Sequence, residues 1–550
     1  MKNSTLILNE DTTVFWLHDL VKHHGVAFDE TYIHSHRGLL RHFASNISGF
    51  VAYDPSSQST NAALIRCAAE DGVIAAGTAA MVAFLRDDLK LPMVANLSSS
   101  NPFDEFSISK GKLSNRAMVS QPNDGGKSNC LSEYAVFARI PTMEHNTDPS
   151  KPPSMMKGFQ AVLDNFDQTA LNAAYGWTSS DEHAFTASVT SAGGMVHASD
   201  FAYNMAVLSQ LPPYVHANAP AARKRMDAGA RSTKQVHTVA FVNSDGDNLQ
   251  LLQNDWVSTS HWNDPSRGSV PVGWSYSPAM AVLMPNIMAY AVRTSTANDS
   301  LSTGPSGAGY AYPQLYRTAH KNLFATATAK LMKMAGMTLA NVIGVTPSND
   351  SLAHLAAQPE VESLVYFTFG VASQGYAGLH GNIAYINNKP IIGLRKNLWS
   401  GDPSSKDKLE PAELVKQMKL LPKDPTNPQS YTVVVNEFGE GLQTIAEAVQ
   451  LLHADGGFEV VLPEELATRV VANTGSKQQC PLPTGPWADE AGNLPKCWLP
   501  GDGTCLMTCE QPSVLHIPAS CDLNVCSNLK LAPTKLHFIC VDTNKVCPSK

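Results

Sequence analysis

Four stretches of this chain end an apolar run in carboxylates or amides, the groups that catalyse acid–base chemistry or bind a cation. In 240–248, A-F-V-N-S-D-G-D-N, a strand pattern runs into Asn243, Asp245, Asp247 and Asn248. In 431–437, Y-T-V-V-V-N-E, a β-branched run ends on Asn436 and Glu437. The run 171–177, L-N-A-A-Y-G-W, leads to Trp177 and then to Asp181 and Glu182, and M-V-H-A-S at 195–199 precedes Asp200. Two carboxylates on separate elements can divide the work of glycosidic cleavage, one protonating the leaving oxygen while the other activates water or attacks carbon. Their oxygens also suit a divalent cation. The plainer role for each is a turn or a helix cap, which for Asp247 would open a helix at 247–254 and for Asp181 or Glu182 one at 182–189. The D-G-D-N run lacks the remaining ligands of a calcium loop, so a divalent cation at Asp245 and Asp247 stays open and no cofactor is expected.

Aromatic residues stand near the same places: Trp177, Trp256, Trp262, Trp274, Tyr276, Tyr310 and Tyr312. An aromatic face suits the C–H face of a sugar, while short polar groups such as Asn243 and Asn248 take hydroxyls. Each aromatic is equally suited to packing. Residues 304–313, G-P-S-G-A-G-Y-A-Y-P, form a backbone-permissive segment carrying two tyrosines. Its glycines allow tight turns or positive φ, and Pro313 favours an extended Tyr312. No Lys-Ser/Thr follows, so this is not a phosphate loop; it reads as a rigid rim loop with Tyr310 and Tyr312 on one face.

The elements that must position these groups alternate in an α/β rhythm. Strands are predicted at 171–177, 195–199, 236–243, 270–276, 307–312, 338–345, 363–369 and 431–436, with helices at 201–209, 279–293, 318–335 and 439–453 between them. Eight such strands predict an irregular (β/α)8 barrel, in which catalytic groups follow the strand C-termini; an open doubly wound sheet is the alternative. Asn387-Asn388 between short apolar runs predicts a hairpin. Upstream, 47–53, 73–76 and 92–95 read as strands and 62–69 as a helix, while 99–129, rich in Ser, Asn, Gly and Pro, reads as loop. Three regions follow: an N-terminal α/β domain at 1–130, a barrel-like domain at 131–475 and a cysteine-rich tail at 476–550.

With these residues in view, the chain resembles the GxGYxYP family, described as putative glycoside hydrolases. Gly307-Ala308-Gly309-Tyr310-Ala311-Tyr312-Pro313 matches the G-x-G-Y-x-Y-P signature in full. Ser244-Asp245-Gly246-Asp247-Asn248, Gly304-Pro305-Ser306, Ser48-Gly49-Phe50-Val51-Ala52-Tyr53-Asp54-Pro55, and Lys389-Pro390 with Arg395 are similar to further family segments. The likeness spans about residues 45–465. It implies an N-terminal domain joined to a C-terminal hydrolase domain acting on a glycan, without naming the acid and base.

The expectation is therefore a glycoside hydrolase with catalytic carboxylates drawn from Asp245, Asp247, Glu437 and Glu182. Substrate contacts are expected from Trp177, Asn243, Asn248, Trp274, Tyr310 and Tyr312. A non-catalytic carbohydrate-binding protein is the second reading. A metal-dependent hydrolase is third, because no H-x-H or H-E-x-x-H motif accompanies the isolated His183 and His197. No G-x-S-x-G elbow points to a serine hydrolase.

Charge narrows the partners. With 16% charged residues, a net charge of -8 and no basic block, nothing resembles a nucleic-acid footprint. No apolar run reaches the roughly 18 residues of a membrane span, and residues 1–20 do not read as a signal peptide. Cysteine usage nevertheless points outside the cell. Cys480, Cys497, Cys505, Cys509, Cys521, Cys526, Cys540 and Cys547 crowd the last 71 residues. They predict a disulfide framework, with zinc as the rival. Five N-x-S/T sites, at Asn3, Asn46, Asn96, Asn298 and Asn349, accompany them. Reduction of the secreted chain should raise its intact mass by about 8 Da, the hydrogens of four broken disulfides; eight free thiols or acid-released zinc would contradict this.

Overall fold

A computed structural model describes residues 11–27, 36–122, 130–217, 234–245, 247–344, 347–369, 376–377, 379–398, 409–437 and 440–474. The expected cysteine-rich tail lies outside the described residues. Among those described, no helix is long and apolar enough to cross a membrane.

The α/β class holds, and its sheets are mostly parallel. The strands are β1 (Gly49–Ala52), β2 (Val73–Ala76), β3 (Met93–Asn96), β4 (Ala117–Ser120), β5 (Thr142–Met143), β6 (Asn172–Gly176), β7 (Gly194–His197), β8 (His237–Ser244), β9 (Val272–Tyr276), β10 (Asp299–Thr303), β11 (Leu339–Gly344), β12 (Ser363–Thr368), β13 (Ile383–Ile386), β14 (Lys389–Gly393), β15 (Lys396–Asn397), β16 (Tyr431–Glu437) and β17 (Phe458–Val460). They form four sheets: β2-β1-β3, β5-β4-β6-β7, β10-β9-β8-β16-β15 with β17 also on β8, and β11-β12-β14-β13. β13 and β14 are the predicted antiparallel hairpin. Asn387 (φ 52°) and Asn388 (φ 61°) both take the left-handed conformation that a tight two-residue hairpin turn requires. β14 then pairs in parallel with β12, so the hairpin belongs to the sheet and does not merely decorate it.

Three expectations change. The predicted strands at 171–177 and 195–199 form, but as β6 and β7 they pair with β4 and with each other, not with β8. That sheet takes strands from both sides of residue 130. Residues 102–112 are helical and 117–120 form β4, so most of the stretch 99–120 is not loop. Asn101 caps the helix Pro102–Ser109 by accepting from the Asp104 backbone N–H at 3.0 Å, Pro102 stands in its first turn, and Phe106 is buried beneath it. Lastly, 307–312 is not a strand. The strand at that step is β10, just upstream, whose sequence Asp-Ser-Leu-Ser-Thr carries almost no apolar signal.

Polar bonding, not apolar patterning, holds β10. The Asn341 backbone N–H donates to Thr303 Oγ1 at 3.0 Å, and Asn341 Nδ2 donates to Thr303 O at 2.7 Å and to Ser302 Oγ at 3.0 Å. At its other end Asp299 is buried and accepts from Trp274 Nε1 at 2.8 Å, from Thr296 N and Oγ1 at 2.8 and 2.7 Å, and from Arg267 Nη1. Trp274 is thereby locked into a tryptophan core. It meets Trp262 edge-on at 5.3 Å, and Trp262 stacks on Trp256 at 4.1 Å. Removing the Asp299 carboxylate strands several donors at once and leaves Arg267 without its partner. Asp299→Ala should lose on the order of 3 kcal/mol in urea unfolding at neutral pH; a loss below about 1 kcal/mol would show that this anchor is dispensable.

Candidate functional site

Every position of β8 is buried. Ala240 and Val242 pack with Tyr310, Tyr312, Val433 and Val435, whereas Val239 and Phe241 enter a different apolar cluster. Side chains alternate along a strand, so the face of Val242 and Val435 continues to Ser244 and Glu437. Those two are register partners on neighbouring parallel strands. Asn243 and Asn436, also partners, project from the opposite face. Asn436 Nδ2 donates to the Gly441 carbonyl at 3.2 Å and to Asn243 Oδ1 at 3.3 Å, tying both strand ends to the start of the next helix. With the Asn243 amide turned over, its nitrogen donates instead to the Asn436 and Glu437 carbonyls, both at 3.2 Å. Both asparagines are fully buried and brace the strand ends from behind.

Asp245 follows β8 at φ 87°, a left-handed conformation that side chains other than Asn and Asp seldom adopt. Such local strain persists only where surrounding structure imposes it, and it gathers at functional sites. Asp247 is buried two residues on. Asn248 is half-buried, donates its backbone N–H to Asp245 O at 3.1 Å and bridges to Ala198 beyond β7, which joins the second sheet to the end of β8.

The 304–313 segment closes the same region from another side, and its rings are more enclosed than a rim loop implies. Tyr310 is 3% exposed and Tyr312 0%. Val196 and Tyr310 exchange backbone bonds of 2.8 Å in both directions, an antiparallel bridge onto β7. The glycines are required by close approach. At Gly307 (φ 121°) a Cβ would lie 2.7 Å from Thr328 Oγ1, and at Gly309 one would lie 3.0 Å from His197 Cε1. Tyr310 Oη donates to Glu182 Oε1 at 2.8 Å and lies 3.2 Å from Tyr312 Oη. The half-buried Trp177 stacks on Tyr310, with centroids 6.0 Å apart and planes 17° from parallel.

Glu182 comes from the second sheet. It opens the helix Glu182–Ser191, whose cap is Asp181, accepting from the Ala184 N–H at 3.0 Å. The two adjacent acids are thus divided: Asp181 holds the helix and Glu182 reaches Tyr310.

Glu182, Asp245, Asp247 and Glu437 lie close enough to act on one another. Burial pushes the Asp245 carboxyl up to about 7, and the charges of Glu182 and Glu437 add to it. Burial, then Asp245 and Glu182, hold Asp247 well above the carboxylate range. Burial also raises Glu182, opposed by the Tyr310 hydrogen bond and reinforced by Asp181. Tyr310 and Tyr312 are raised by burial and further by Glu182 and Asp247. Among the described residues no lysine or arginine is among the groups that set these three carboxyls. Carboxyls crowded in this way do not all ionise together near neutral pH. Among the described residues no group of three or more His, Cys, Asp or Glu is arranged to hold a metal ion.

Trp274 stands apart from this cluster, in the tryptophan core. Sequence reasoning also passed over part of the wall. His183, read as isolated, packs on Tyr312 at 5.0 Å, and Phe369 continues from Tyr312 at 6.4 Å to Tyr376 at 5.7 Å. Phe369 directly follows β12, a strand-end position of the kind that marked the acids; nothing local marks Tyr376.

Comparison with known proteins places these elements within a family. The family model described as "GxGYxYP putative glycoside hydrolase C-terminal domain" matches residues 235–470, and the "GxGYxYP third domain" model matches 115–210. The second range holds the β5-β4-β6-β7 sheet and Glu182; the first holds β8, the tyrosine loop and β16. No curated protein matches the chain. A crystal structure of a putative hydrolase from Bacteroides thetaiotaomicron is similar in fold, with a TM-score of 0.74 at 19% identity over 87% of this chain and 90% of that one.

The raised carboxyls have a consequence for stability. An acid whose folded pKa exceeds its unfolded value stabilises the fold at low pH, and that contribution is lost as pH rises through the folded pKa. For Asp245 the window runs from its ordinary value of 3.8 to about 7. Asp245→Asn should therefore unfold at higher urea than wild type at pH 7.5, by on the order of 1–2 kcal/mol after discounting solvent screening. The advantage should vanish at pH 4, and an equal advantage at both pH values would contradict the assignment.

Proposed function

The chain belongs to the GxGYxYP family, and from that premise we propose that it is a glycoside hydrolase in which Asp245 and Glu437 perform the chemistry. The observation that carries this reading is the convergence of Glu182, Asp245, Asp247 and Glu437 beyond parallel-strand ends, where burial and mutual charge raise Glu182, Asp245 and Asp247. Asp245 has the protonation a general acid needs, being about half ionised near pH 7. It lies in the fields of both Glu182 and Glu437. Glu437, next to it across the β8–β16 pair, is the general base or nucleophile. The separation of the two carboxyls in the sugar complex sets whether configuration is retained or inverted.

The remaining groups support that pair. Asp247, more enclosed than Asp245 and held well above the carboxylate range, keeps its proton and stands beside the acid as a second proton-bearing group. Glu182, held by the Tyr310 hydroxyl, contributes from the second sheet to the negative field that raises the acid and accepts from a sugar hydroxyl. Trp177 supplies the aromatic platform, its ring backed by Tyr310. The substrate is an oligo- or polysaccharide. A divalent cation on Asp245 and Asp247 is the competing use of those two acids, and chelation separates the alternatives.

We also read the third and fourth sheets as one barrel-like wall. Two features support this: the chain passes from β14 to β15 through only Leu394 and Arg395, and the Thr303–Asn341 bonds clasp β10 to β11. An extracellular setting rests on the clustered cysteines and the five sequons.

A glycan panel identifies the substrate, and three variants then test the roles. Asp245→Asn and Glu437→Gln should each lower kcat by roughly 100-fold or more, the scale of general acid–base catalysis, with KM little changed. The kcat of wild type should fall as pH rises above about 7, when Asp245 loses its proton. Tyr310→Phe, which removes the bond to Glu182, should move that pH limb while keeping measurable turnover. EDTA should leave the wild-type rate unchanged. Folded Asp245 and Glu437 variants with near-full turnover would overturn the assignment, and loss of activity on chelation would favour the metal alternative.

A further inference from the structure

The tyrosine loop sits between two groups of half-buried rings. Towards the second sheet, Trp177 stacks on Tyr310 at 6.0 Å. Towards the fourth sheet, Tyr312 lies 6.4 Å from Phe369, and Phe369 stacks on Tyr376 at 5.7 Å with planes 14° from parallel. Tyr310 and Tyr312 meet edge-on at 5.7 Å and join the two halves. The rings therefore run as one row from the end of β6 to the end of β12. Exposure divides the row: Tyr310 and Tyr312 in the middle are buried, whereas Trp177, Phe369 and Tyr376 are only half-buried. The middle is also where the acids stand, since Glu182 accepts from Tyr310 and the charges of Glu182 and Asp247 reach both tyrosines.

The far end of the row is held by the strands beneath it. Phe369 directly follows β12, and its backbone N–H donates to the carbonyl of Gly344, the last residue of β11, at 3.0 Å. The Thr368 N–H donates to the Tyr376 carbonyl at 3.1 Å and sets the second ring against the same strand end. Gln314, just past Pro313, brings its amide to Gly344 as well. A Cβ there would stand 2.7 Å from Gln314 Oε1 and 2.9 Å from Nε2. Gly344 thus seats a half-buried amide, donor and acceptor without charge, next to the Phe369 backbone. All of this lies at the C-terminal ends of parallel strands, the side on which α/β folds place their ligands.

We propose that Phe369 and Tyr376, with the Gln314 amide beside them, form a second saccharide platform. The substrate is then a neutral chain of sugars lying along the row of rings, with residues bound on both sides of the carboxyls. This rests on the carbohydrate reading given above. The ring faces take the C–H faces of sugars, and Gln314 exchanges hydrogen bonds with their hydroxyls. Trp177 at one end and Phe369 with Tyr376 at the other leave the bond to be cut over the middle, beside Glu182 and Asp247. A polyanionic chain would be repelled by the acids. An apolar ligand would strip water from the Gln314 amide and return no hydrogen bond. A monosaccharide would fill one platform and leave the other in water.

Binding is measured by calorimetry on the full chain carrying Asp245→Asn, so that probes are not consumed. The probes are disaccharides and hexasaccharides of β-1,4-glucose, β-1,4-xylose, β-1,4-mannose, β-1,4-N-acetylglucosamine and α-1,4-glucose. At least one hexasaccharide should bind about 10-fold or more tightly than its disaccharide. Adding Phe369→Ala should weaken that hexasaccharide by roughly 10-fold, a change of about 1.4 kcal/mol, while Phe369→Tyr should stay within about 2-fold because the ring is kept. Tyr376→Ala should weaken it likewise, and it decides alone if Phe369→Ala does not fold. No hexasaccharide binding, equal binding of both lengths, or undiminished binding by the folded alanine variants overturns the proposal. Hydrolysis by the chain with Asp245 intact is read separately. Length-dependent binding through Phe369 with no hydrolysis supports the platform and sinks the hydrolase. Hydrolysis of the hexasaccharide with kcat/KM unchanged by Phe369→Ala sinks the platform and leaves the hydrolase standing.

Discussion

The hydrogen bond from Tyr310 to Glu182 joins two parts of the protein that are built separately. Glu182 stands on a helix packed against the β5-β4-β6-β7 sheet, while Tyr310 lies in the loop that leaves β10 of another sheet. A buried carboxyl without a cation needs a donor, and this hydroxyl provides one. The rest of the 304–313 loop is arranged to deliver it. Gly307 admits Thr328 at a distance a Cβ would not allow, Gly309 lies tight against His197, and the Val196–Tyr310 bridge sets the height of the ring. The signature's glycines and tyrosines are thus parts of one device: glycine permits the approach, and tyrosine uses it.

The acids obey the same logic at larger scale. Parallel strands end on one side of a sheet, so residues just past their C-termini gather without any local sequence relation. Asp245 and Glu437 are nearly two hundred positions apart, yet the β8–β16 register places Glu437 beside Ser244. Paired Asn243 and Asn436 behind them keep that register, spending buried amides on geometry. The stability given up by crowding carboxyls is the counterpart of having a proton donor available near neutral pH.

Other buried polar groups do purely structural work, and the contrast is instructive. Asp299 is as buried as Asp247, but it receives donors from Trp274, Thr296 and Arg267 and is a satisfied anchor. What separates Asp299 from the acids proposed for chemistry is therefore the identity of its neighbours, not its depth.

Much of this was legible along the chain. The α/β rhythm, the Asn387-Asn388 hairpin, the strand-end acids and the signature loop all arise from local patterns: side-chain period, turn chemistry and the need for glycine where backbones approach. Asp181 and Glu182 were legible as a cap pair, though not which of them caps. What the chain alone could not decide was the partnership of sheets. β6 and β7 look like members of one continuous series, and only long-range pairing with β4 assigns them elsewhere. β10 was invisible because hydrogen bonds from Asn341, not apolar residues, hold its hydroxyl-rich sequence. The helix at Pro102–Ser109 was hidden in a composition that suggests loop, although Asn101-Pro102 is itself a helix-start signal. Trp274 and Trp177 are the same residue type at similar strand ends. Asp299 draws the first into the core, and Tyr310 holds the second at the acids. Residue type and spacing determined which groups could do chemistry here; which of them meet was decided by strand register and sheet contact, because those depend on surfaces that exist only after the chain has folded.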